Sequence, residues 1–282
     1  MRVATAHVDG ASRAVRIDGA RATALPYAGV GELLASGDDW ASRAAAARGE
    51  QFDLDGLRLA TLIARPEKII CAGLNFRKHI LESGRTLADW TTYPMFFAKY
   101  SRSLLGPYDD LVLPDNSDRV DWEAELAVIV GREVWHADEE QALAAIAGYT
   151  VINDVSMRDW QTRTPQMLQG KTFERSTPLG PVLVTGDEID DAHDLAVRCW
   201  VDEELMQDGS TSDMIFSCAA LVAYASQFIT LVPGDVIATG TPSGIGAART
   251  PPIYLRPGQV MRSSVEGIGE CVNRCVAPEA GR

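Results

Sequence analysis

The stretch Asp121-Trp122-Glu123-Ala124-Glu125-Leu126-Ala127-Val128-Ile129-Val130 opens with acids and closes in an unbroken apolar run. In an extended strand, residues two apart share a face, so Glu123 and Glu125 project together. The apolar residues that follow call for burial, which carries two carboxylates towards an interior. A second apolar run, Tyr149-Thr150-Val151-Ile152, ends at Asn153-Asp154 and delivers a third carboxylate to a strand end. Like charges buried at close range do not all stay ionised unless a cation joins them. Three carboxylates make an all-oxygen site that suits Mg²⁺, Mn²⁺ or Ca²⁺ better than zinc. An ExE pair standing alone reads more simply as solvated edge-strand acids paired with lysines, since most acids lie at surfaces.

The neighbouring residues shift that balance. Arg158, Gln161 and Lys171 follow Asp154 closely, and a cation, an amide and an ammonium can hold a substrate carboxylate or a developing oxyanion. Upstream, Gly73 to Gly84 reads as a short helix stopped by Gly84, with His79 and Glu82 three apart on one face. A carboxylate beside an imidazole orients it and stabilises its protonated form, as a general base requires. The same pair in isolation also reads as an incidental surface contact. Thr239-Gly240-Thr241-Pro242-Ser243-Gly244 follows a strand-like run, where glycines let backbone approach a ligand and hydroxyls can bind carboxylate oxygens. By itself it is an ordinary Gly-rich turn.

Along the rest of the chain, strand-like runs alternate with turn residues more often than with helices. Arg2 to Val8 and Ala14 to Ile17 flank a turn at Asp9-Gly10, a plausible hairpin. Asp38 or Asp39 is placed to cap an Ala-rich helix ending near Gly49. Strands are expected at Lys68 to Ala72, Glu125 to Val130, Tyr149 to Ile152, Val182 to Thr185, Leu195 to Val201, Asp235 to Thr239 and Val260 to Val265. Helices are expected at Glu139 to Ala147 and at Met214 to Ile229, the latter with Ser212 and Asp213 as caps. Many strands and few helices argue for a β-rich roll or sandwich rather than a doubly wound sheet. A boundary near Ala64 divides a small N-terminal α/β appendage (1–64) from a catalytic domain (65–282).

Composition removes several classes of function. Lys plus Arg number 26 against 39 Asp plus Glu, a formal charge of −13. Such a surface repels phosphate backbones and anionic lipid, so neither nucleic acid nor a membrane is an expected partner. A small anionic substrate stays compatible, because a bound cation reverses the local field. With no secretory leader in view and five scattered cysteines, a cytoplasmic location with free thiols is expected. No GxSxG elbow is present, Gly29-Val30-Gly31 lacks the third glycine of a dinucleotide fingerprint, and the four histidines have no metal spacing. The tail from Ala277 to Arg282 is expected to be poorly ordered.

Taken together, these stretches resemble the fumarylacetoacetate hydrolase family, in its acylpyruvate hydrolase-like and 2-hydroxyhepta-2,4-diene-1,7-dioate isomerase-like branch. The matching pieces run in order: Gly73-Leu74-Asn75 with His79 and Glu82, Phe96-Phe97-Ala98-Lys99, Glu123-Ala124-Glu125-Leu126, and Asn153-Asp154-Val155-Ser156-Met157-Arg158-Asp159. Gly170-Lys171, Pro178-Leu179-Gly180-Pro181 and Pro233-Gly234-Asp235 with Thr239-Gly240-Thr241-Pro242 complete them, over roughly Pro66 to Val276. The resemblance implies an α+β, β-rich mixed sandwich roll, a homodimer, and an active-site Mg²⁺ or Mn²⁺, with Ca²⁺ as a further option. By residue match, it implies Glu123, Glu125 and Asp154 as metal ligands and Lys171 as the lysine that stabilises enolate or oxyanion charge. The His79–Glu82 pair looks like the dyad that activates water, on a segment that closes over ligand. Asn75, Arg158, Gln161, Thr239 and Thr241 are the implied substrate contacts. Phe76 departs from the pattern, since many relatives carry Tyr there, and that hydroxyl's hydrogen bond is absent.

The activity this resemblance implies is hydrolysis of an acylpyruvate-like 2,4-diketo acid, of fumarylpyruvate or acetylpyruvate type, to pyruvate and an acid. Oxaloacetate-type decarboxylation, keto–enol isomerisation, hydration and sugar-acid hydrolysis use the same scaffold and stay open. A catalytically silent relative is a further alternative, against which the retention of His79 and Lys171 speaks. Substrate choice is expected to rest on the closing segment that carries His79 and Glu82 and on Arg85 to Pro94, whose Trp90 and Tyr93 either line the distal pocket or pack between subunits.

Overall fold

The computed structural model describes residues 1–89 and 92–278. Trp90, and residues 279–282 of the tail singled out above, lie outside the described residues. The chain opens as a hairpin of β1 (Arg2–Val8) and β2 (Ala11–Asp18). Asp9 (φ 49°) and Gly10 (φ 78°) turn it, both left-handed, the conformation whose twist matches the flanking strands. Next come β3 (Arg21–Ala24), α1 (Val30–Ala35), α2 (Trp40–Ala46), β4 (Gln51–Asp53), β5 (Arg58–Leu59), β6 (Ile69–Gly73) and α3 (Arg77–Glu82). Then follow β7 (Met95–Lys99), β8 (Leu104–Leu105), β9 (Leu111–Val112), β10 (Val120–Asp121), β11 (Ala124–Val130) and α4 (Glu139–Ala145). The middle of the chain continues with β12 (Ile146–Asn153), β13 (Ser156–Met157), α5 (Arg158–Gln161), α6 (Leu168–Lys171) and β14 (Thr177–Val184). The last elements are β15 (Ala196–Val201), β16 (Glu204–Ser210), α7 (Cys218–Ser226), β17 (Val236–Ala238), β18 (Val260–Val265) and β19 (Gly269–Val276).

A 12-stranded sheet runs in the order β4-β3-β2-β1-β14-β12-β11-β17-β6-β7, with β5 joined at β1 and β8 at β14. A 5-stranded sheet, β16-β15-β18-β19-β9, packs across it, and β10 pairs with β13 beside the two. Most neighbours are antiparallel, but β17 runs parallel to β6, so the large sheet is mixed. The N-terminal hairpin enters this sheet directly, with Arg2 opposite Val184 and Val3 opposite Leu183.

All of β11 is buried, and the two cores explain why its sequence is apolar without alternation. Leu126, Val128 and Val130 share one core with Val197, Cys199, Met261 and Cys271 from the smaller sheet. Ala127 and Ile129 point the other way, into a core with Leu33, Leu34 and Trp40 from the N-terminal helices. Each large aliphatic side chain so buried contributes about 1.5–3 kcal/mol. The result is the β-rich roll with few helices that the strand pattern predicts.

Several local expectations need correction. The helix expected from Met214 begins at Cys218, and Ser217, not Ser212 or Asp213, caps it by accepting from Ala220 N–H at 3.0 Å. Residues before it are drawn into extended pairing, since Met214 bridges Phe76 and Ile215 N–H donates to the Asn75 carbonyl. Asp213 instead accepts from the Lys78 amide at 2.9 Å. Asp39 precedes α2, but its carboxylate binds Arg43 rather than the helix end, and Asp38 pairs with Arg132. The helix α4 ends at Ala145 because Ile146 already belongs to β12, and it starts on a capping box between Asp138 and Gln141. The strands β7, β16 and β19 have no counterpart among the expected elements.

Candidate active site

Glu123 and Glu125 leave the start of β11, and Asp154 follows the end of its antiparallel neighbour β12. The two strand ends are tied together, because Asp154 N–H donates to the Glu123 carbonyl at 2.8 Å and Ala124 pairs with Asn153. The three carboxylates are buried, and each offers an oxygen within 4.8 Å of the others. The cluster expected from separate segments is therefore one site.

Cations meet it from three directions. Lys171 Nζ lies 2.6 Å from Glu123 Oε2 and 2.7 Å from Asp154 Oδ2. Lys99 Nζ, from β7, lies 2.6 Å from Asp154 Oδ1. Arg158 spans Glu123 Oε1 at 2.6 Å and Asp121 Oδ2 at 2.8 Å. Among the described residues, Glu125 takes a single donor, the backbone Gly240 N–H at 2.7 Å, which brings no full charge. Burial works against ionisation of Glu123, but Lys171 and Arg158 outweigh it, helped by His79, and hold its carboxyl well below the usual range. For Glu125, burial and then the neighbouring Asp154 and Glu123 push the carboxyl well up. Burial opposes the charge on Lys171, yet Asp154 and Glu123 overcome it and keep it a firm ammonium.

The donor set fits a hard divalent cation. Four buried acids (Asp121, Glu123, Glu125, Asp154) face the three cations just described, and Glu125, the acid without an ion-pair partner here, is crowded by like charge. A cation held by Glu123, Glu125 and Asp154 relieves that crowding with all-oxygen ligands.

His79 and Glu82 form the other half of the site. His79 Nδ1 donates to Glu82 Oε1 at 2.7 Å, and Glu82 Oε2 accepts from Gly244 N–H at 2.8 Å. A carboxylate accepts only, so the pair fixes the proton on Nδ1 and leaves Nε2 for exchange. The imidazole is close enough to Glu123 for its charge to be felt there. The turn before it is strained: Leu74 adopts φ 53°, unusual for a branched aliphatic residue. Asn75 braces that turn, donating to the Thr239 carbonyl at 2.8 Å and the Phe216 carbonyl at 3.1 Å, while its oxygen accepts from Phe216 N–H at 2.9 Å.

The remaining expected contacts divide. Arg158 itself contacts the carboxylates and donates from Nη1 to Gln161 Oε1 at 2.9 Å, whereas Gln161 reaches them only through Arg158, its amide donating to Met167 Sδ at 3.4 Å. Thr239 and Thr241 donate their hydroxyls to the Leu126 and Ala124 carbonyls, each at 2.9 Å, and tie the Gly-rich loop to β11. Within that loop, the groups aimed at site carboxylates are backbone amides, Gly240 N–H at Glu125 and Gly244 N–H at Glu82. Gly240 has φ 95°, and a Cβ there would meet Asn75 Cβ at 3.0 Å.

Two residues carry roles that motif reading did not assign. Lys99 is fully enclosed against Asp154, though its segment was noted for its motif alone. Asp121 organises the far rim, accepting from Trp122, Gly246 and Ala247 amides as well as from Arg158. The signal available for both was the same: a charged residue inside or beside an otherwise apolar run.

Residues 68–276 match the family model described as fumarylacetoacetate (FAA) hydrolase C-terminal. The chain belongs to the fumarylacetoacetate hydrolase family. Among curated relatives, it is 44% identical to a mitochondrial oxaloacetate tautomerase of Homo sapiens over 76% of this chain and 68% of that protein. Among solved structures, it superposes on a fumarylacetoacetate hydrolase from Exiguobacterium antarcticum with a TM-score of 0.85 and 32% identity, covering 99% of this chain and 100% of the other. A maleylpyruvate hydrolase from Sphingobium sp. SYK-6, solved with manganese(II) and pyruvate, gives a TM-score of 0.80 at 27% identity, covering 99% and 100%.

Proposed function

We propose that this enzyme interconverts the keto and enol forms of a small 2-oxo acid, with oxaloacetate as its substrate. The observation that carries the reading is the His79–Glu82 pair, locked by Gly244 and set within electrostatic reach of the buried carboxylates that Lys171 joins. Identity of 44% to an oxaloacetate tautomerase supports the choice of substrate.

When bound at Glu123, Glu125 and Asp154, Mg²⁺ or Mn²⁺ (Ca²⁺ being a further option) lowers the cost of negative charge on the substrate's 2-oxo oxygen. The chain's own groups then move one proton. His79 Nε2 takes it from the carbon next to the carbonyl, while Glu82 stabilises the imidazolium that results. Lys171 stays an ammonium and faces the oxygen on which charge collects. The proton returns to that oxygen to give the enol, and the reverse sequence restores the ketone.

A second reading rests on the same dyad. A histidine held in one tautomer also activates water, which would cleave an acylpyruvate of fumarylpyruvate or acetylpyruvate type into pyruvate and an acid. The structural likeness to a maleylpyruvate hydrolase favours keeping it. The homodimer remains part of the proposal, with the ring cluster of Tyr93, Phe96, Tyr224 and Phe228 as its contact face. A cytoplasmic site of action is likewise proposed.

The test uses protein stripped by chelator and reloaded with Mn²⁺. Accelerated decay of the oxaloacetate enol absorbance without pyruvate release supports the tautomerase. Pyruvate from acetylpyruvate, with no effect on the oxaloacetate enol, would move the assignment to the hydrolase, and pyruvate from oxaloacetate would move it to a decarboxylase.

A further inference from the structure

Trp122 stands between β10 and β11, next to Glu123 in the chain, and its indole is fully buried. A buried indole N–H needs an acceptor. It finds one in the Gly-rich loop, where Trp122 Nε1–H donates to the Gly244 carbonyl at 3.1 Å. The amide of the same glycine donates to Glu82 Oε2 at 2.8 Å, and Glu82 Oε1 accepts from His79 Nδ1 at 2.7 Å. A chain of hydrogen bonds thus runs from the indole to the imidazole.

Gly244 is the link in this chain that has no side chain of its own to hold it. Its φ is 104°, which glycine adopts without penalty, and a Cβ there would lie 2.2 Å from the Met206 carbonyl oxygen. Its orientation therefore comes from its hydrogen bonds and from what packs beneath the loop. The next residues of the loop are held from the same stretch of chain as Trp122. The Gly246 and Ala247 amides donate to Asp121 at 2.7 and 2.9 Å, and a Cβ on Gly246 would lie 3.0 Å from Trp122 Cη2. Residues 121–125 thus carry Glu123 and Glu125 and also anchor the loop against which Glu82 leans.

We propose that Trp122 is a positioning residue for proton transfer at His79: the indole fixes Gly244, Gly244 fixes Glu82, and Glu82 holds the imidazole in one tautomer, in register with Glu123 and Glu125. The inference rests on the reading of His79 and Glu82 as the proton-transferring pair. A tryptophan that only filled the core would affect folding and leave the tautomer unchanged.

Ring-nitrogen NMR of the histidine-labelled full chain, with Mg²⁺ present and no substrate, tests this. The signals of His79 are assigned by their loss in His79→Ala. At a pH well above the ordinary imidazole range, the wild type is expected to show His79 in a single tautomer, protonated at Nδ1. Trp122→Phe keeps an aromatic ring but removes the donor, and is expected to show both tautomers in exchange. Trp122→Met removes the same donor with a side chain that adapts to the gap, and is expected to do the same. Turnover of oxaloacetate by Mn²⁺-loaded Trp122→Phe is expected to fall about three- to tenfold with KM unchanged, the scale of one neutral hydrogen bond. In a Glu82→Ala background the same substitution should cost nothing further, because Gly244 then has no carboxylate to hold. A single Nδ1–H tautomer kept in both Trp122 variants, or an equal loss of turnover with and without Glu82, overturns the positioning role. Two tautomers already present in the wild type overturn the reading of the His79–Glu82 pair and this inference with it.

Discussion

Lys99 Nζ lies 2.6 Å from Asp154 Oδ1, and neither side chain has any solvent exposure. The other oxygen of Asp154 takes Lys171 Nζ at 2.7 Å, so ammonium groups from β7 and α6 fix the plane of one carboxylate. Removing one member of a buried ion pair leaves an uncompensated charge and costs about 3–5 kcal/mol. Lys99→Met preserves length and removes the charge. Its expected effect lies at the lower end of that range, because Lys171 still holds Asp154. Urea unfolding of the chelator-treated protein measures it, and an unchanged midpoint would mean that Lys99 does not stabilise Asp154.

The tautomer fixed by Glu82 gives a second prediction. His79→Ala should slow turnover about 10²–10⁴-fold, the usual contribution of a general base. Glu82→Gln should slow it too, since an amide accepts the Nδ1 proton but does not stabilise an imidazolium. Neither substitution touches Glu125 or Asp154, so Mn²⁺ affinity by calorimetry should stay near the wild-type value. Loss of metal binding in His79→Ala would instead place the imidazole in the metal site.

The carboxylates were legible because each sits within a few residues of a long apolar run, where a charged side chain is out of place without a partner. Strands β11 and β12 were legible for the same reason, and β18 from the Pro257-Gly258 turn that precedes it. Strand β7 was not, since Met95-Phe96-Phe97-Ala98-Lys99 has no alternation to separate strand from helix. Its meaning depends on Asp154, 55 residues away, with which Lys99 pairs. The hydroxyls of Thr239 and Thr241 look like ligand groups in a Gly-rich loop, but β11 carbonyls more than a hundred residues distant claim them. Met214 to Ser217 reads as helix on local propensity alone, and pairing with Phe76 and Asn75 overrides it.

Charge balance predicts how the protein responds to metal. Glu125 is crowded by Asp154 and Glu123 and contacts a backbone amide, Gly240 N–H, rather than a cation. A divalent cation bound there stabilises the folded state by about 2.7 kcal/mol when its concentration is 100 times its Kd. The thermal midpoint should therefore climb with Mn²⁺ concentration. Glu125→Gln removes the excess acid, so this variant should be at least as stable as wild type in chelator and should gain much less from Mn²⁺. Equal gains in both proteins would show that Glu125 is not a ligand.

The placement of Lys171 depends on the glycine before it. A Cβ on Gly170 would lie 2.4 Å from the Gln161 nitrogen, 2.5 Å from its Cα and 2.6 Å from its Cβ. Those are mostly backbone atoms of α5, which cannot rotate aside as a side chain can. Gly170→Ala must therefore push α6 away from α5 and carry Lys171 with it. Overpacking of this kind costs about 1–3 kcal/mol, which a folded domain generally survives. The catalytic effect should be larger, because a displacement of about 1 Å in a positioned group can cost about 10²-fold in rate. Gly186→Ala is the matched control, since nothing lies within 4 Å of a Cβ there. Turnover and circular dichroism on both variants decide the matter. A roughly hundredfold loss in Gly170→Ala with an intact spectrum fits a displaced lysine, and wild-type turnover would mean that the α5–α6 contact does not position Lys171.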